Sequence, residues 1–340
     1  MAVLLLTSSA AVHDSVVPLC AAAGVEASVC REPVLALAAW GAAELVLVGD
    51  DLAAAVAELG PARREGVHVV GAAPPDAAFR AAVRLGAGSV LDLAVGPGAL
   101  VGLLSDLGEQ GAPGRVVGVV GGAGGSGSTT LACALAQWYA ARSPSLLVDA
   151  DPLGPGLDRL VGIEDAPGVR WEALEDTAGR LGARELREGV PRRDHLGVLT
   201  WSGLRRRLDL PTVRRVLPAA ARGHALVVVD LARQSAVLGE LADRCDDLLV
   251  VTPATVQGLA ATARLVTDLG RRDRAGLVVR PGGLSDADAE QVTGLPVVAV
   301  LGDQRGVAGA VDRGHGPLTA RGPLARVARD LLGRRLAEAA

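Results

Sequence analysis

No lysine occurs anywhere in the 340-residue chain, so all 34 basic residues are arginine. Aromatic residues are nearly as scarce, with four Trp, one Tyr and one Phe, and there is a single Met. The core must therefore be assembled from Ala, Val and Leu, and the aromatic platforms that stack single-stranded bases are missing. The four cysteines (Cys20, Cys30, Cys133, Cys245) form no Cys-x-x-Cys pair, which argues against a disulfide or zinc framework and for reduced thiols in a cytoplasmic protein. Five histidines are scattered without metal-ligand spacing. No uninterrupted apolar run reaches the ~18 residues that a membrane-spanning helix needs. The opening segment from Met1 to Leu6 lacks a basic flank and reads as a strand, not a signal peptide.

The chain is long enough for two domains, each with its own core. Residues 1–110 carry 5 Arg against 12 acidic residues, net −7, while the remainder carries 29 Arg against 26, net +3. A polyanionic partner is thus expected only on the second part.

In residues 1–109, apolar runs recur at Val3–Leu6, Val25–Val29, Leu45–Val48, Val67–Val70 and Ser89–Leu93, separated by Ala/Leu-rich helical stretches. That rhythm predicts five βα units and a parallel sheet covered on both faces. The pattern resembles a CheY-type receiver domain. Asp50 and Asp51 follow the third strand, where a phospho-acceptor would stand. The acidic pair expected after the first strand is replaced by Thr7-Ser8-Ser9, the hydroxyl residue after the fourth by Gly71-Ala72, and the lysine after the fifth cannot exist in this chain. These departures argue against phosphorylation and for a receiver-shaped docking domain. The Gly/Pro-containing stretch 110–114 is the expected linker.

The organising stretch of the second part, residues 115–340, is Gly121-Gly-Ala-Gly-Gly-Ser-Gly-Ser-Thr-Thr130. It follows the apolar run Val116–Val120 and opens into a helix with apolar positions at 131, 134/135 and 138. Strand, glycine loop and helix make a phosphate-binding loop, whose backbone N–H groups and helix N-terminus attract anions. Further strands are expected at Ser145–Asp149, Ala225–Asp230, Asp247–Thr252, Gly276–Arg280 and Pro296–Leu301. Two of them end in acids, Asp149-Ala-Asp151-Pro and Asp230, at the carboxyl edge where open α/β sheets hold ligands. The fold class expected is α/β: a receiver-like domain followed by a doubly wound, mainly parallel P-loop domain.

Together the loop, the Leu-Leu-Val-Asp-Ala-Asp-Pro strand, Leu301-Gly-Asp-Gln-Arg-Gly-Val307 and Val311-Asp-Arg-Gly-His-Gly-Pro317 resemble the ParA/MinD group of deviant-Walker ATPases over 115–336. A receiver-like domain ahead of such a domain resembles the CpaE/TadZ localisation proteins of Tad/Flp pilus systems. His195–Ser202 and Val228–Arg233 look typical of the actinobacterial septum-site-determining (Ssd) group within them. The resemblance implies that Gly124, Gly125, Ser126, Gly127, Ser128, Thr129 and Thr130 cradle the phosphates of ATP. It further implies that Thr129, with Asp149 and Asp230 acting through water, holds Mg²⁺, and that Asp151 orients the attacking water. Arg280 stands where the family usually has an Asn that reads adenine. A homodimer is implied, with a pilus-secretion ATPase or division proteins as partners, at the inner membrane, pole or septum.

The family loop reads Lys-Gly-Gly-x-Gly-Lys-Thr-Thr; its two lysine positions here are Ala123 and Ser128. A charge-assisted bond to phosphate contributes ~1.5–3 kcal/mol, so losing two predicts about two to four decades weaker binding and poor or absent hydrolysis. Arg205-Arg-Arg207 with Arg214-Arg215 forms a basic cluster that reads first as a solvated face and second as a non-specific DNA contact. The C-terminal helix aligns Leu324, Val327, Ala328, Leu331 and Leu332. Packing on the domain's own sheet is favoured over a membrane-surface role, because that stripe lacks Phe and Trp.

Overall fold

The computed structural model describes residues 3–108, 113–175, 181–203, 208–270 and 273–337. The chain divides into two compact units, Met1–Gln110 and Gly111–Ala340.

Five strands build the first unit: β1 (Val3–Leu6), β2 (Ala27–Cys30), β3 (Leu45–Gly49), β4 (Val67–Gly71) and β5 (Ser89–Asp92). They pair in parallel in the order β2-β1-β3-β4-β5. Successive residues of each strand face opposite layers. Leu4, Leu6, Val46, Val48, Val67 and Val69 join one core, and Val3, Leu5, Leu45, Leu47, Val70 and Leu91 join the other. Burial on both faces explains why the strands read as continuous apolar runs. The second strand begins two residues later than its apolar run. Gly24 turns the chain at φ +69, and the Val25 N–H is spent on the Cys20 carbonyl at 2.9 Å, closing the preceding helix.

The second unit holds β6 (Arg115–Gly121), β7 (Ser145–Ala150), β8 (Arg192–Arg193), β9 (Leu196–Leu199), β10 (Leu226–Leu231), β11 (Asp247–Pro253), β12 (Ala275–Arg280) and β13 (Val297–Val300). Their order is β13-β12-β11-β6-β10-β7-β9-β8, parallel except for the β8–β9 pair. β8 and β9 were not expected: two residues are too few to show a period, and β9 is a short apolar run without a distinctive flank. β9 extends the parallel sheet beyond β7.

The helix Ser128–Ala140 behind the glycine loop is buried nearly all round, from Leu131 through Ala136. A one-sided stripe would have sufficed against the sheet alone. Its outer side is covered by the C-terminal helix Pro323–Ala337, whose Leu324, Val327, Ala328, Leu331 and Leu332 are all buried in the same cluster. Alanine on the inner helix lets these layers approach closely. The apolar stripe of the terminal helix is therefore unavailable to lipid. No helix among the described residues is long and apolar enough to cross a membrane.

Candidate functional site

The glycine loop leaves the end of β6, the strand between β11 and β10, so its neighbours are the ends of those strands. Gly122 must lack a side chain, because a methyl group there would run into Thr262. Gly125 and Gly127 take φ +69 and +88, the left-handed region that other residues enter at a cost, and Gly127 caps the helix that follows. A methyl group at Gly124 or Gly125 would meet nothing within 4 Å, so the rim of the loop is open. Inside it, the hydroxyls of Ser126 and Ser128 converge on Gly121, where a methyl would stand 2.8 and 3.1 Å from them. Ser126 is 3% exposed, and its Oγ has no hydrogen-bond partner. An open rim of glycines, a helix N-terminus and an orphaned hydroxyl fit a phosphate group.

Two buried carboxyls sit behind the loop. Burial pushes Asp230 up to about 7, opposed by a hydrogen bond from Thr129 and reinforced by the charges of Asp149 and Asp151. Burial likewise raises Asp149 to about 6, although Thr200 and two backbone N–H groups act against it. Beneath them the Cys133 thiol is driven well above its ordinary range, by burial first and by the two aspartates second. Two buried carboxyl oxygen donors beside the Thr129 hydroxyl make a donor set that suits a hard divalent ion such as Mg²⁺.

The side chain of Asp149 is extensively occupied by the protein. Its Oδ2 accepts from Thr200 Oγ1 at 2.7 Å and Leu157 N at 3.2 Å, and its Oδ1 accepts from Asp151 N at 3.1 Å. The Trp171 indole donates to the Asp149 carbonyl at 2.8 Å and packs 5.8 Å from Trp201. Asp149 thereby fastens the loop 151–157 to the sheet edge. Asp151 closes its own turn, accepting from Leu153 N at 3.0 Å.

Arg280, at the end of β12, lines a cleft of about 240 Å³ with Gly127, Thr130, Leu301, Asp303 and Gln304. Its guanidinium pairs with Asp303. A methyl on Gly127 would lie 3.9 Å from Arg280 Nη1. From the end of β10, Arg233 Nη1 donates to the Gly122 carbonyl at 3.3 Å. Sequence reasoning missed Arg233, Thr200 and Trp171 as parts of this edge. Thr200 and Arg233 lie in stretches that carry the family resemblance, but nothing local marked any of the three as part of a site.

The remaining candidates are placed elsewhere. Arg214 is paired with Glu240 at 3.0 Å, and Arg215 donates to the Leu174 carbonyl at 2.7 Å, so both are engaged by their own domain. Arg205, Arg206 and Arg207 lie outside the described residues. In the first unit, Asp51 accepts from Thr7 Oγ1 at 2.8 Å, Ser8 N at 2.7 Å and Ser9 N at 3.1 Å. The Asp50 carboxyl lies over Gly71, where any side chain would collide with it. Asp92, at the end of β5, accepts from the backbone of Ala73 and Ala94, both at 2.9 Å. Asp51 and Asp92 at this edge are thus engaged by their own domain.

Comparison with known proteins agrees with both halves. Residues 6–115 match the family model described as the Rv3660c-like, CheY-like N-terminal domain. The uncharacterized protein Rv3660c of Mycobacterium tuberculosis (strain ATCC 25618 / H37Rv) is 36% identical over 306 residues, covering 86% of each chain. Among solved structures, a ParA family ATPase from Chlorobium tepidum TLS aligns with TM-score 0.53 and 17% identity, over 65% of this chain and 99% of its own. The septum site-determining protein MinD complexed with Mg-ADP from Pyrococcus horikoshii OT3 aligns with TM-score 0.51 and 16% identity, over 66% and 97%. These identities speak for the fold. The chain belongs to the Rv3660c-like family, with a CheY-like N-terminal domain followed by a P-loop domain of the ParA/MinD fold.

Proposed function

We propose that this is a ParA/MinD-type positioning protein of the CpaE/TadZ/Ssd kind, acting in the cytoplasm as a homodimer. In this reading it places a Tad/Flp pilus assembly or influences septum-site selection. Its nucleotide site is degenerate: Mg·ATP binds weakly and is hydrolysed slowly or not at all. The observation that carries this reading is the open glycine loop with its orphaned Ser126 hydroxyl, set before the buried Asp149–Asp230 pair. Gly124 to Thr130 would hold the phosphates, Thr129 and, through water, Asp149 and Asp230 the Mg²⁺, and Asp151 the attacking water. Bound Mg²⁺ would supply the positive charge that the loop lacks.

Mg·ATP titration followed by the fluorescence of the Trp171–Trp201 pair, together with phosphate release, tests it. Expected are saturable but weak binding and turnover far below that of lysine-bearing relatives. Micromolar affinity with comparable turnover overturns the degenerate site. Uniform distribution of a fluorescently tagged chain in its own cell overturns the positioning role.

A second reading is favoured by the first unit. Phe79 and Val83, one turn apart on the helix Asp76–Leu85, are 51% and 75% exposed. A catalytically dead scaffold that docks a pilus-secretion partner through its receiver-like domain would need such a face. Dimerisation that depends on ATP separates the first reading from this one.

A further inference from the structure

Two arginines stand at the glycine loop, one from each side. Arg233 lies three residues beyond Asp230, past the end of β10, and its exposed side chain reaches across to the Gly122 carbonyl at 3.3 Å. Gly122 immediately precedes Ala123, one of the two positions without lysine. Arg280 ends β12 on the far side of β11, and its guanidinium passes along Gly127, which immediately precedes Ser128, the other such position. Each missing cation of the loop therefore has an arginine beside it, brought from a different strand.

Neither arginine is held firmly where it stands. The Arg233 bond is long, and its acceptor is a neutral carbonyl. An anionic phosphate oxygen attracts the guanidinium more strongly than a neutral carbonyl and offers it a bidentate contact, so phosphate would displace that carbonyl. The Arg280 pair with Asp303 is exposed, 34% on one side and 82% on the other, and such pairs contribute little. Arginine is also well shaped for binding phosphate from a neighbouring strand, because its planar fork is bidentate and its side chain is long. With Asp149, Asp151 and Asp230 behind the loop, two further positive charges would bring the site closer to the balance that a polyphosphate with Mg²⁺ requires.

We propose that Arg233 and Arg280 are the phosphate-binding cations of this chain, clamping a Mg·nucleoside triphosphate from opposite sides of a loop that has none. The positive charge has moved from the loop to the ends of β10 and β12. This inference rests on the nucleotide reading above, and it gives Arg280, which stands where the family usually has an adenine-reading Asn, a phosphate-binding role.

The test is a titration of the full chain with Mg·ATP, for wild type, Arg233→Ala, Arg233→Gln, Arg280→Ala, Ser128→Lys and Arg233→Ala/Ser128→Lys. Thermal unfolding of each variant checks that it folds, which Arg233 substitutions are expected to leave unchanged because the side chain is exposed. Removing either arginine is expected to weaken binding at least tenfold. Ser128→Lys is expected to strengthen binding more in the Arg233→Ala background than in wild type, because the two cations address the same phosphates and their effects do not add. If wild type binds and the arginine variants bind equally well, the inference fails while the nucleotide reading stands. Strict additivity of Arg233→Ala and Ser128→Lys also overturns it. If wild type binds no nucleotide, the nucleotide reading fails, and this inference falls with it.

Discussion

In the first domain Asp51 follows β3 at an exposed sheet edge and gives both carboxylate oxygens to Thr7, Ser8 and Ser9. In the second, Asp149 at the end of β7 does the same for Thr200, Asp151 and Leu157, but it is only 1% exposed and shares its surroundings with Asp230 and an open glycine loop. Both acids fasten a loop to the carboxyl edge of a parallel sheet. The Asp51 carboxylate itself is fully engaged by these three donors, while burial and the charge of Asp51 raise the neighbouring Asp50. Around Asp149 an unpaired hydroxyl, two raised carboxyls and two loosely held arginines remain. The two positions differ in what faces the acid: backbone and hydroxyl donors alone at Asp51, and an open glycine loop with an unpaired hydroxyl beside Asp149.

The sharpest way to break this contrast is to restore the loop. In a fluorescence titration, Ala123→Lys/Ser128→Lys is expected to tighten Mg·ATP binding by up to about two to four decades, roughly 3–6 kcal/mol, in the Arg233→Ala/Arg280→Ala background, and by less where the arginines remain. A gain below tenfold even without the arginines would mean that the second edge is as closed as the first.

Next in size is the difference between the two fastening acids. Asp149→Ala strands a buried hydroxyl and two N–H groups and should cost about 3 kcal/mol in urea unfolding. Asp51→Ala exposes its partners to water and should cost less than about 1 kcal/mol. Equal costs would erase the distinction in burial.

The pH dependence of stability separates the edges more finely. Asp149 and Asp230 titrate near 6 and 7 in the folded chain, above their unfolded values near 4. Between those limits the native state holds protons that the unfolded state has released. Their contribution is therefore complete below pH 4 and lost as pH rises toward 7, with a limiting slope of about 1.4 kcal/mol per pH unit for each proton. Asp230→Asn should flatten this fall in thermal melts, and Mg·ATP should oppose it by favouring the charged carboxyls. A melt in which wild type and Asp230→Asn share one pH profile contradicts the assignment. The smallest effect belongs to the first domain: incubation with acetyl phosphate is expected to leave Asp50 and Asp51 unmodified by mass spectrometry, and phosphorylation at either would show that the first edge is open after all.

Much of the fold was legible because it is written locally. Runs buried on both faces, such as Leu45–Gly49 and Leu226–Leu231, stand out between Ala-rich helices, and the glycine loop has a pattern of its own. The acids at strand ends were legible for the same reason. The two-residue strand β8 and the short β9 carried too little periodicity to be seen. Thr200, Trp171 and Arg233 carried no signal of a site, because their part in it depends on which strands lie side by side.

By itself the sequence determined the order of the motifs, the acids that end the strands and the absence of lysine at 123 and 128, since each is a matter of residue type and spacing along the chain. It also determined that the C-terminal helix has an apolar stripe, but the periodicity of that stripe is the same whether lipid or protein covers it. The tertiary structure decided that the helix Ser128–Ala140 and the sheet cover it. It also decided where positive charge stands. Arg233 reaches a carbonyl 111 residues away, because β10 pairs directly with β6, and no local pattern encodes that adjacency.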